Sequence, residues 1–218
     1  MNKDSLNNTD LNLAVNLPFS QACENNKQPI LRVLQRELKD ATHVLEIGSG
    51  TGQHSVYFAP NLAYLQWQTS DVSTNHYAIE AWHAAYPASN LHPPVAFDLT
   101  TDSIPISRSN QPYDAIFTAN TLHIISWELV EQLFQLVGEA LPIHGKLIVY
   151  GPFNENGQYT SAGNHQFDLM LRQSNLQMGI RDREDVIALA KKNKLTLSNI
   201  VSMPASNQLL VFIKTAVD

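Results

Sequence analysis

Short apolar blocks alternate along the chain with segments in which apolar side chains recur every three to four residues. The run 146–150 is typical of a buried strand, whereas Ile30, Leu34 and Leu38 share one face of a helix. Applied to the whole sequence, this pattern predicts seven strands and six helices. The predicted strands are 44–47, 65–69, 95–97, 114–119, 146–150, 195–202 and 208–214, and the predicted helices are 29–39, 53–59, 75–86, 126–141, 165–175 and 182–193.

Proline and glycine positions predict where several of these elements begin and end. Proline lacks an N–H and fits the first turn of a helix, so we expect Pro29 to begin the first helix. We expect Pro60 and Pro87 to end the second and third helices. Gly151-Pro152 should end the fifth strand and open a polar loop that reaches Gly163.

Strands that alternate with helices and then end in a hairpin predict an α/β fold. We expect a Rossmann-like, mostly parallel seven-stranded sheet, with helices on both faces and a C-terminal antiparallel hairpin at one edge. The Asn-rich residues 1–15 should be a disordered tail, and residues 16–218 a single domain. In such sheets ligands bind beyond the carboxyl ends of the strands, where the strand order reverses.

Composition narrows the classes of function. A net charge of −6 and a pI near 5.7 argue against a nucleic-acid partner, and the sequence has no membrane-spanning run. The N-terminus has no secretory signal, and the single cysteine, Cys23, cannot form an intrachain disulfide. These features indicate a cytoplasmic protein that acts on a small-molecule substrate.

The segment 44–52 places a short strand, an acid and three glycines directly before a predicted helix. Gly48, Gly50 and Gly52 allow a tight turn and let a ligand approach the peptide N–H groups. The dinucleotide fingerprint G-x-G-x-x-G is the nearest alternative, but it requires glycine where this chain has Gln53. It also has no use for the acid Glu46, two residues before the first glycine. The pattern resembles motif I of the class I S-adenosylmethionine-dependent methyltransferases; a purely structural turn is the other interpretation.

Acids follow the next two predicted strands, and the resemblance assigns them to the cofactor. In that family the acid corresponding to Glu46 orders the loop and the methionine end of the cofactor. Asp71 would accept the ribose hydroxyls, although an acid at a helix N-terminus is the other interpretation of this residue. Asp98 would receive the adenine amino group, and Leu99 would pack on the ring.

The tip of the fourth strand supplies the candidate catalytic residues Asn120 and His123. In class I methyltransferases this segment passes beneath the cofactor and lines the reaction chamber. His123 is a candidate general base, because an ordinary imidazole titrates near neutral pH. A histidine that packs and hydrogen-bonds at a helix entry is the other interpretation. Asn120 would contact the cofactor and orient the acceptor, or simply cap the strand end.

A further resemblance depends on the segments 24–31, 48–54, 119–124, 150–153 and 179–182. In these segments the chain resembles DUF938, a family of methyltransferase-like proteins. The resemblance implies that Asn26 and Lys27 belong to a segment that covers the cofactor, and that they line the substrate pocket together with Phe153 and Tyr159. Phe153 and Tyr159 also suit ordinary loop anchors.

These observations predict a methyltransferase that uses S-adenosylmethionine and an unidentified, small-molecule acceptor. The alternative is a protein that binds S-adenosylmethionine or S-adenosylhomocysteine without transfer, as a scaffold or sensor. Metal catalysis and serine hydrolysis are disfavoured, because the sequence has neither H-E-x-x-H nor G-x-S-x-G. The Asn/Asp-Pro-Pro-aromatic motif of enzymes that methylate amino groups of nucleic acids is also missing after the fourth strand.

Overall fold

A computed structural model describes residues 17–216. The predicted disordered tail 1–15 lies outside this range, and the predicted boundary of the domain at residue 16 stays a prediction. The helices are α1 Gln21–Glu37, α2 Gln53–Asn61, α3 His76–Ala85, α4 Trp127–Ala140, α5 Ala162–Ser174 and α6 Arg183–Lys192. The strands are β1 His43–Ile47, β2 Gln66–Asp71, β3 Leu91–Ala96, β4 Ala115–Ala119, β5 Lys146–Asn154, β6 Arg181–Asp182, β7 Leu195–Met203 and β8 Asn207–Lys214.

The strands form one mixed sheet with the order β3-β2-β1-β4-β5-β8-β7. The first five strands run parallel, whereas β8 lies antiparallel to both β5 and β7. The two-residue strand β6, which the sequence pattern does not predict, pairs with the end of β5. The predicted α/β class, the parallel core of the sheet and the closing hairpin are therefore confirmed.

Alternating residues along the central strands build two separate cores, one on each face of the sheet. Val44 of β1 packs with α1 and α2, whereas its neighbour Leu45 packs with α4 and α6. In β8, Val211 and Phe212 divide between the same two cores. Because successive side chains of a strand point to opposite faces, strands that are apolar throughout require helices on both sides. Within residues 17–216, no helix combines the length and apolar character that crossing a bilayer requires.

The first helix begins eight residues earlier than predicted, so the interpretation of Pro29 as its start is wrong. Ser20 is the N-cap, its Oγ accepts from the Cys23 N–H at 3.4 Å, and Glu24 lies in the first turn. These are ordinary helix-start signals. Pro29 lies inside the helix, where its ring removes one backbone donor while the apolar face of α1 packs on the sheet.

Two other predicted ends are also wrong. The helix α2 includes Pro60 in its last turn and ends one residue later. Strand β5 continues through Gly151-Pro152 to Asn154. Its parallel neighbour β4 ends opposite Tyr150, so Pro152 lies beyond the last residue of β4 and interrupts no pairing with that strand. The predicted loop to Gly163 is correspondingly shorter.

Candidate active site

A cavity of about 750 Å³ opens at the carboxyl ends of the parallel strands. The strand order reverses between β1 and β4, and residues following both strands line the cavity. Helices α1 and α5 and the turn between β7 and β8 complete its walls. This is the place where an open α/β sheet is expected to bind a ligand.

The glycine loop after β1 needs glycine for backbone conformation and for space. Gly48 has φ +72°, and a Cβ at this position would lie 2.9 Å from the Thr121 Oγ1. Gly50 has φ +58°, and its N–H donates to the Asp71 Oδ2 at 2.8 Å. Both glycines line the cavity. The loop therefore brings peptide groups close to any ligand bound there.

Gly52 has a different role in the structure. It caps α2 with φ +85°, and a Cβ would lie 3.0 Å from the Ile79 Cα. The third glycine of the motif thus allows α2 to approach α3 closely, and it lies outside the cavity lining.

Glu46 lies behind the glycine loop instead of in the cavity wall. Its side chain is buried, and the Trp67 Nε1 donates to its Oε2 at 3.0 Å. Burial raises the pKa of Glu46 to about 7; hydrogen bonds from Trp67 and Ser49 oppose this, and the Asp71 charge adds to it. Glu46 is linked to the loop through Ser70, whose hydroxyl donates to the Glu46 carbonyl at 2.7 Å and whose N–H donates to the Ser49 Oγ at 3.3 Å; Ser49 itself lines the cavity.

Asp71 and Asp98, at the ends of β2 and β3, both line the cavity. The Asp71 carboxylate accepts from the Val72 N–H and the Asn75 Nδ2 as well as from Gly50. The Asp98 Oδ1 accepts from the backbone N–H and the hydroxyl of Thr100, which lowers the pKa of Asp98. Leu99 lines the same end and packs partly against the core.

Asn120 and His123 also face the cavity. Asn120 has φ +58°, uncommon for a residue with a side chain, and its N–H donates to the Tyr150 carbonyl at 2.9 Å. His123 is only 5% exposed, and its ring meets Phe167 edge-on at 5.3 Å. Burial, assisted by the nearby Arg181 charge, lowers the pKa of His123 to about 4. The imidazole is therefore neutral at physiological pH and a weak base.

Of the four predicted pocket residues, the cavity includes Asn26 but not Lys27, Phe153 or Tyr159. Lys27 pairs with Glu24 and lies over the Tyr57 ring. Phe153 is fully packed in the core on the α4 side, because β5 extends past the predicted end. Tyr159 donates to the Asp168 Oδ2 at 2.8 Å and anchors the loop before α5.

The structure adds wall residues that the sequence interpretation missed. Cys23 was missed because α1 was expected to begin at Pro29, although Ser20 and Glu24 carry the signal for an earlier start. Asn164 and Phe167 reach the cavity from α5, Ala205 reaches it from the turn before β8, and Asn207 reaches it from the first position of β8. No local pattern marks these four residues, because the long-range packing of α5 and of the hairpin brings them there.

The charges of the cavity wall are unevenly distributed. Asp71 and Asp98 stand at the end formed by β2 and β3, whereas the opposite end consists of amide, hydroxyl, aromatic and neutral imidazole groups. Within residues 17–216, no three His, Cys, Asp or Glu side chains are grouped so that they could hold a metal ion.

A comparison with protein-family models shows the family of this chain. Residues 17–214 match the family model described as protein of unknown function (DUF938). The chain belongs to the DUF938 family. This match confirms the resemblance found in the sequence, and it covers nearly all of the residues that the structure describes.

The DUF938 chain also has the class I methyltransferase fold of several solved structures. An O-methyltransferase family 2 protein from Planctomyces limnophilus, in complex with apigenin, has a TM-score of 0.76 and 17% identity, and the match covers 94% of this chain and 60% of that one. An O-methyltransferase family protein from Burkholderia thailandensis has a TM-score of 0.72 and 15% identity, and the match covers 88% of this chain and 57% of that one. Human N-acetylserotonin methyltransferase in complex with S-adenosylmethionine has a TM-score of 0.69 and 12% identity, and the match covers 87% of this chain and 55% of that one. The DUF938 chain spans little more than half the length of these proteins, and identities this low show a shared fold alone.

Proposed function

We propose that this DUF938 protein is a methyltransferase that binds S-adenosylmethionine and transfers its methyl group to a small-molecule acceptor. The observation that carries the proposal is the convergence of Gly48, Gly50, Asp71 and Asp98 on one end of a single cavity. Three consecutive strands contribute these residues, at the switch point of the sheet.

The residues at this end fit an adenosine-containing ligand. The Asp71 Oδ1 already accepts from the Val72 N–H and the Asn75 Nδ2, but Oδ2 accepts only from the Gly50 N–H, so Oδ2 can still accept a ribose hydroxyl. Asp98 would receive the adenine amino group, with Leu99 against the ring, and the glycine loop would surround the methionine portion. Bound there, S-adenosylmethionine supplies an electrophilic methyl group on a sulfonium.

The opposite end of the cavity would hold the acceptor. With the sulfonium bound there, a lone pair of the acceptor would form the new bond to the methyl carbon as the carbon–sulfur bond breaks with its electron pair on sulfur, and the proton of the acceptor would pass to water. Such a displacement depends on positioning and on exclusion of water more than on covalent help from the protein. The enclosing walls from α1, α5 and the β7–β8 turn suit a small molecule.

Calorimetric titration with S-adenosylmethionine and with S-adenosylhomocysteine tests the cofactor. We expect saturable binding of both compounds, weakened about tenfold or more in Asp71→Asn, because a charged hydrogen-bond acceptor is lost. Asp40→Asn is the matched control, since Asp40 is exposed and only loosely paired with Lys39 at 3.8 Å. Absence of binding to folded wild-type protein would overturn the proposal.

Transfer itself is tested by incubating the protein with a small-molecule cell extract and S-adenosylmethionine that carries a deuterated methyl group. We expect a labelled product in the mass spectrum together with S-adenosylhomocysteine. Binding without any product would support the second candidate, a scaffold or sensor. An acceptor that must lose its proton before the attack needs a base, and the buried His123 is a weak one. This observation favours the second candidate.

A further inference from the structure

The segment 179–182, which carries part of the DUF938 resemblance, lies behind the wall of the cavity. None of its residues lines the cavity, and its last two residues form β6, which pairs with the end of β5. The segment is hydrogen-bonded to two elements that do line the cavity, the turn 122–125 after β4 and the helix α5. A segment that is bonded to both elements can hold them at a fixed distance from each other.

Arg181 binds the turn after β4 through peptide carbonyls. Its Nε donates to the Leu122 carbonyl at 2.9 Å, and its Nη2 donates to the Ile125 carbonyl. The same Nη2 donates to the Gln177 carbonyl at 2.9 Å. A planar guanidinium bonds to several acceptors in fixed directions, which a lysine ammonium cannot do. Arg181 therefore fixes the path of the backbone on both sides of His123.

A further contact holds the carbonyl of His123 itself. The Gly179 N–H donates to this carbonyl at 2.9 Å. Three of the four carbonyls in the turn 122–125 are thus hydrogen-bonded to the segment 179–181. The backbone of the turn is held from behind the wall, while the His123 side chain lines the cavity.

The helix α5 is bonded to the same segment through a buried carboxylate. Asp168 is 1% exposed, and its Oδ1 accepts from the Ile180 N–H at 2.6 Å. Its Oδ2 accepts from the Arg172 Nε at 2.8 Å. A buried carboxylate is costly unless donors compensate it, so the Ile180 contact fixes α5 against the segment. Phe167, the neighbour of Asp168 in α5, lines the cavity, where its ring meets that of His123.

We propose that Arg181 is a positioning residue for methyl transfer, which holds the turn 122–125 at a fixed distance from α5 and so keeps the His123 ring in the wall that faces the acceptor. The inference rests on the proposed function. Arg181 lies outside the cavity lining, so it acts through the backbone of the turn. A small displacement of this wall would misalign the acceptor and the methyl carbon, and the transfer depends on their alignment.

The first test observes the His123 ring and does not require transfer. In protein labelled with ¹⁵N in its histidine rings, the His123 resonances are assigned by their loss in His123→Gln. We expect them to shift in Arg181→Ala and also in Arg181→Lys, which keeps the positive charge but cannot bond to the Leu122 and Ile125 carbonyls together. The spectra are recorded at about pH 8, where the ring is neutral because burial lowers the pKa of His123 to about 4.

Arg32→Ala is the matched control, because Arg32 is an exposed residue of α1 outside the cavity lining. Its His123 resonances should coincide with those of the wild type. Unchanged His123 resonances in both Arg181 variants would overturn the proposal. If Arg181→Ala does not fold, Arg181→Lys decides by the same comparison.

The second test measures transfer from deuterated-methyl S-adenosylmethionine to the acceptors present in a small-molecule extract. We expect Arg181→Ala to bind S-adenosylhomocysteine within about twofold of the wild type but to form labelled product at least about tenfold more slowly. N-ethylguanidinium, which replaces the missing part of the side chain, should restore much of the rate in Arg181→Ala and none in Arg181→Lys. General destabilisation predicts the opposite, because guanidinium compounds favour the unfolded chain.

The outcomes separate the failure of this inference from the failure of the proposed function. Wild-type transfer rates in Arg181→Ala, or a slow variant whose rate N-ethylguanidinium does not raise, would overturn the role of Arg181 and leave the methyltransferase intact. A wild-type protein that binds S-adenosylmethionine but labels no acceptor would overturn transfer itself, and the role of Arg181 with it.

Discussion

Glu46 shows how a single buried acid links the glycine loop to the pH dependence of stability. Burial raises its pKa from an ordinary 4.5 to about 7, so the folded protein retains a proton that the unfolded chain loses between these values. The free energy of unfolding therefore falls as the pH rises from 4.5 to about 7. Above about pH 7, Glu46 causes no further change in it.

Glu46→Gln should remove this pH dependence, because an amide cannot ionise and its oxygen can still accept from Trp67. We expect the free energy of unfolding of the variant to exceed that of the wild type by up to about 3 kcal/mol at about pH 8 and to match it near about pH 4. Urea denaturation at both pH values measures the difference. If the free energies of unfolding of the two proteins differed by the same amount at both pH values, the raised pKa of Glu46 would be contradicted.

Gly48 combines a left-handed backbone with a lack of space, and a second glycine separates the two effects. Gly157 has the same φ of +72° but no atom within 4 Å of the position that a Cβ would occupy, whereas at Gly48 the Thr121 hydroxyl is 2.9 Å away. We expect Gly157→Ala to lose about 1 kcal/mol of stability from backbone strain alone. Gly48→Ala should lose more, and should also bind S-adenosylmethionine at least about tenfold more weakly.

Denaturation and calorimetry of the two alanine variants provide the comparison. Equal losses of stability, with cofactor affinity unchanged in both, would show that space at Gly48 is unimportant.

At the scale of elements, the first two turns of α1 matter most, because they bring Cys23 and Asn26 to the cavity. The Ser20 Oγ accepts from the Cys23 N–H at 3.4 Å, and the Ser126 Oγ accepts from the Leu129 N–H at the same distance at the start of α4. Both are N-caps, and each should contribute about 1 kcal/mol.

We expect Ser20→Ala to speed hydrogen exchange of the amides at 23–25 while leaving 31–37 unchanged, since a lost cap frays only the first turn. Ser126→Ala should leave α1 unaffected and act on the start of α4. Exchange followed by NMR distinguishes the two helices. Uniform acceleration throughout α1 would mean that the cap stabilises the whole helix and not its end.

Sequence patterns predicted the elements well where burial dominates and poorly where proline was taken as a boundary. The alternation in β1, β4 and β5 follows directly from two-sided burial, so these strands were found. Pro29, Pro60 and Pro152 were each assigned to an end, but tertiary packing continues the element past each of them. A prediction from local sequence includes the backbone hydrogen bond that proline cannot donate. It does not include the apolar surface that the element buries by continuing past the proline.

At the scale of the whole molecule, the parallel topology explains why half of the candidate site could be predicted. Gly48, Asp98 and Asn120 follow strands and Asp71 is the last residue of one, and parallel strands bring their carboxyl ends to one edge. The opposite wall of the cavity depends instead on how α5 and the β7–β8 turn fold back over that edge. This information is spread over residues distant in sequence, so no local pattern could identify the wall residues of α5.

Because strands β1 to β5 and both cores meet at the cavity, ligand binding should stabilise the entire fold. At about one hundred times its dissociation constant, S-adenosylhomocysteine should raise the free energy of unfolding by about 2.7 kcal/mol and the melting temperature by about 5–10 °C. Differential scanning calorimetry measures the shift. Asp71→Asn should show a smaller shift at the same concentration, and an equal shift in both proteins would place the ligand elsewhere.

The position of β8 has a consequence for how the protein matures. It is the last strand along the described chain, yet it lies between β5 and β7 in the sheet, and Asn207 at its start lines the cavity. A nascent chain that has not yet released this strand from the ribosome leaves β5 without its antiparallel neighbour. The wall of the cavity is therefore completed only after β8 has emerged.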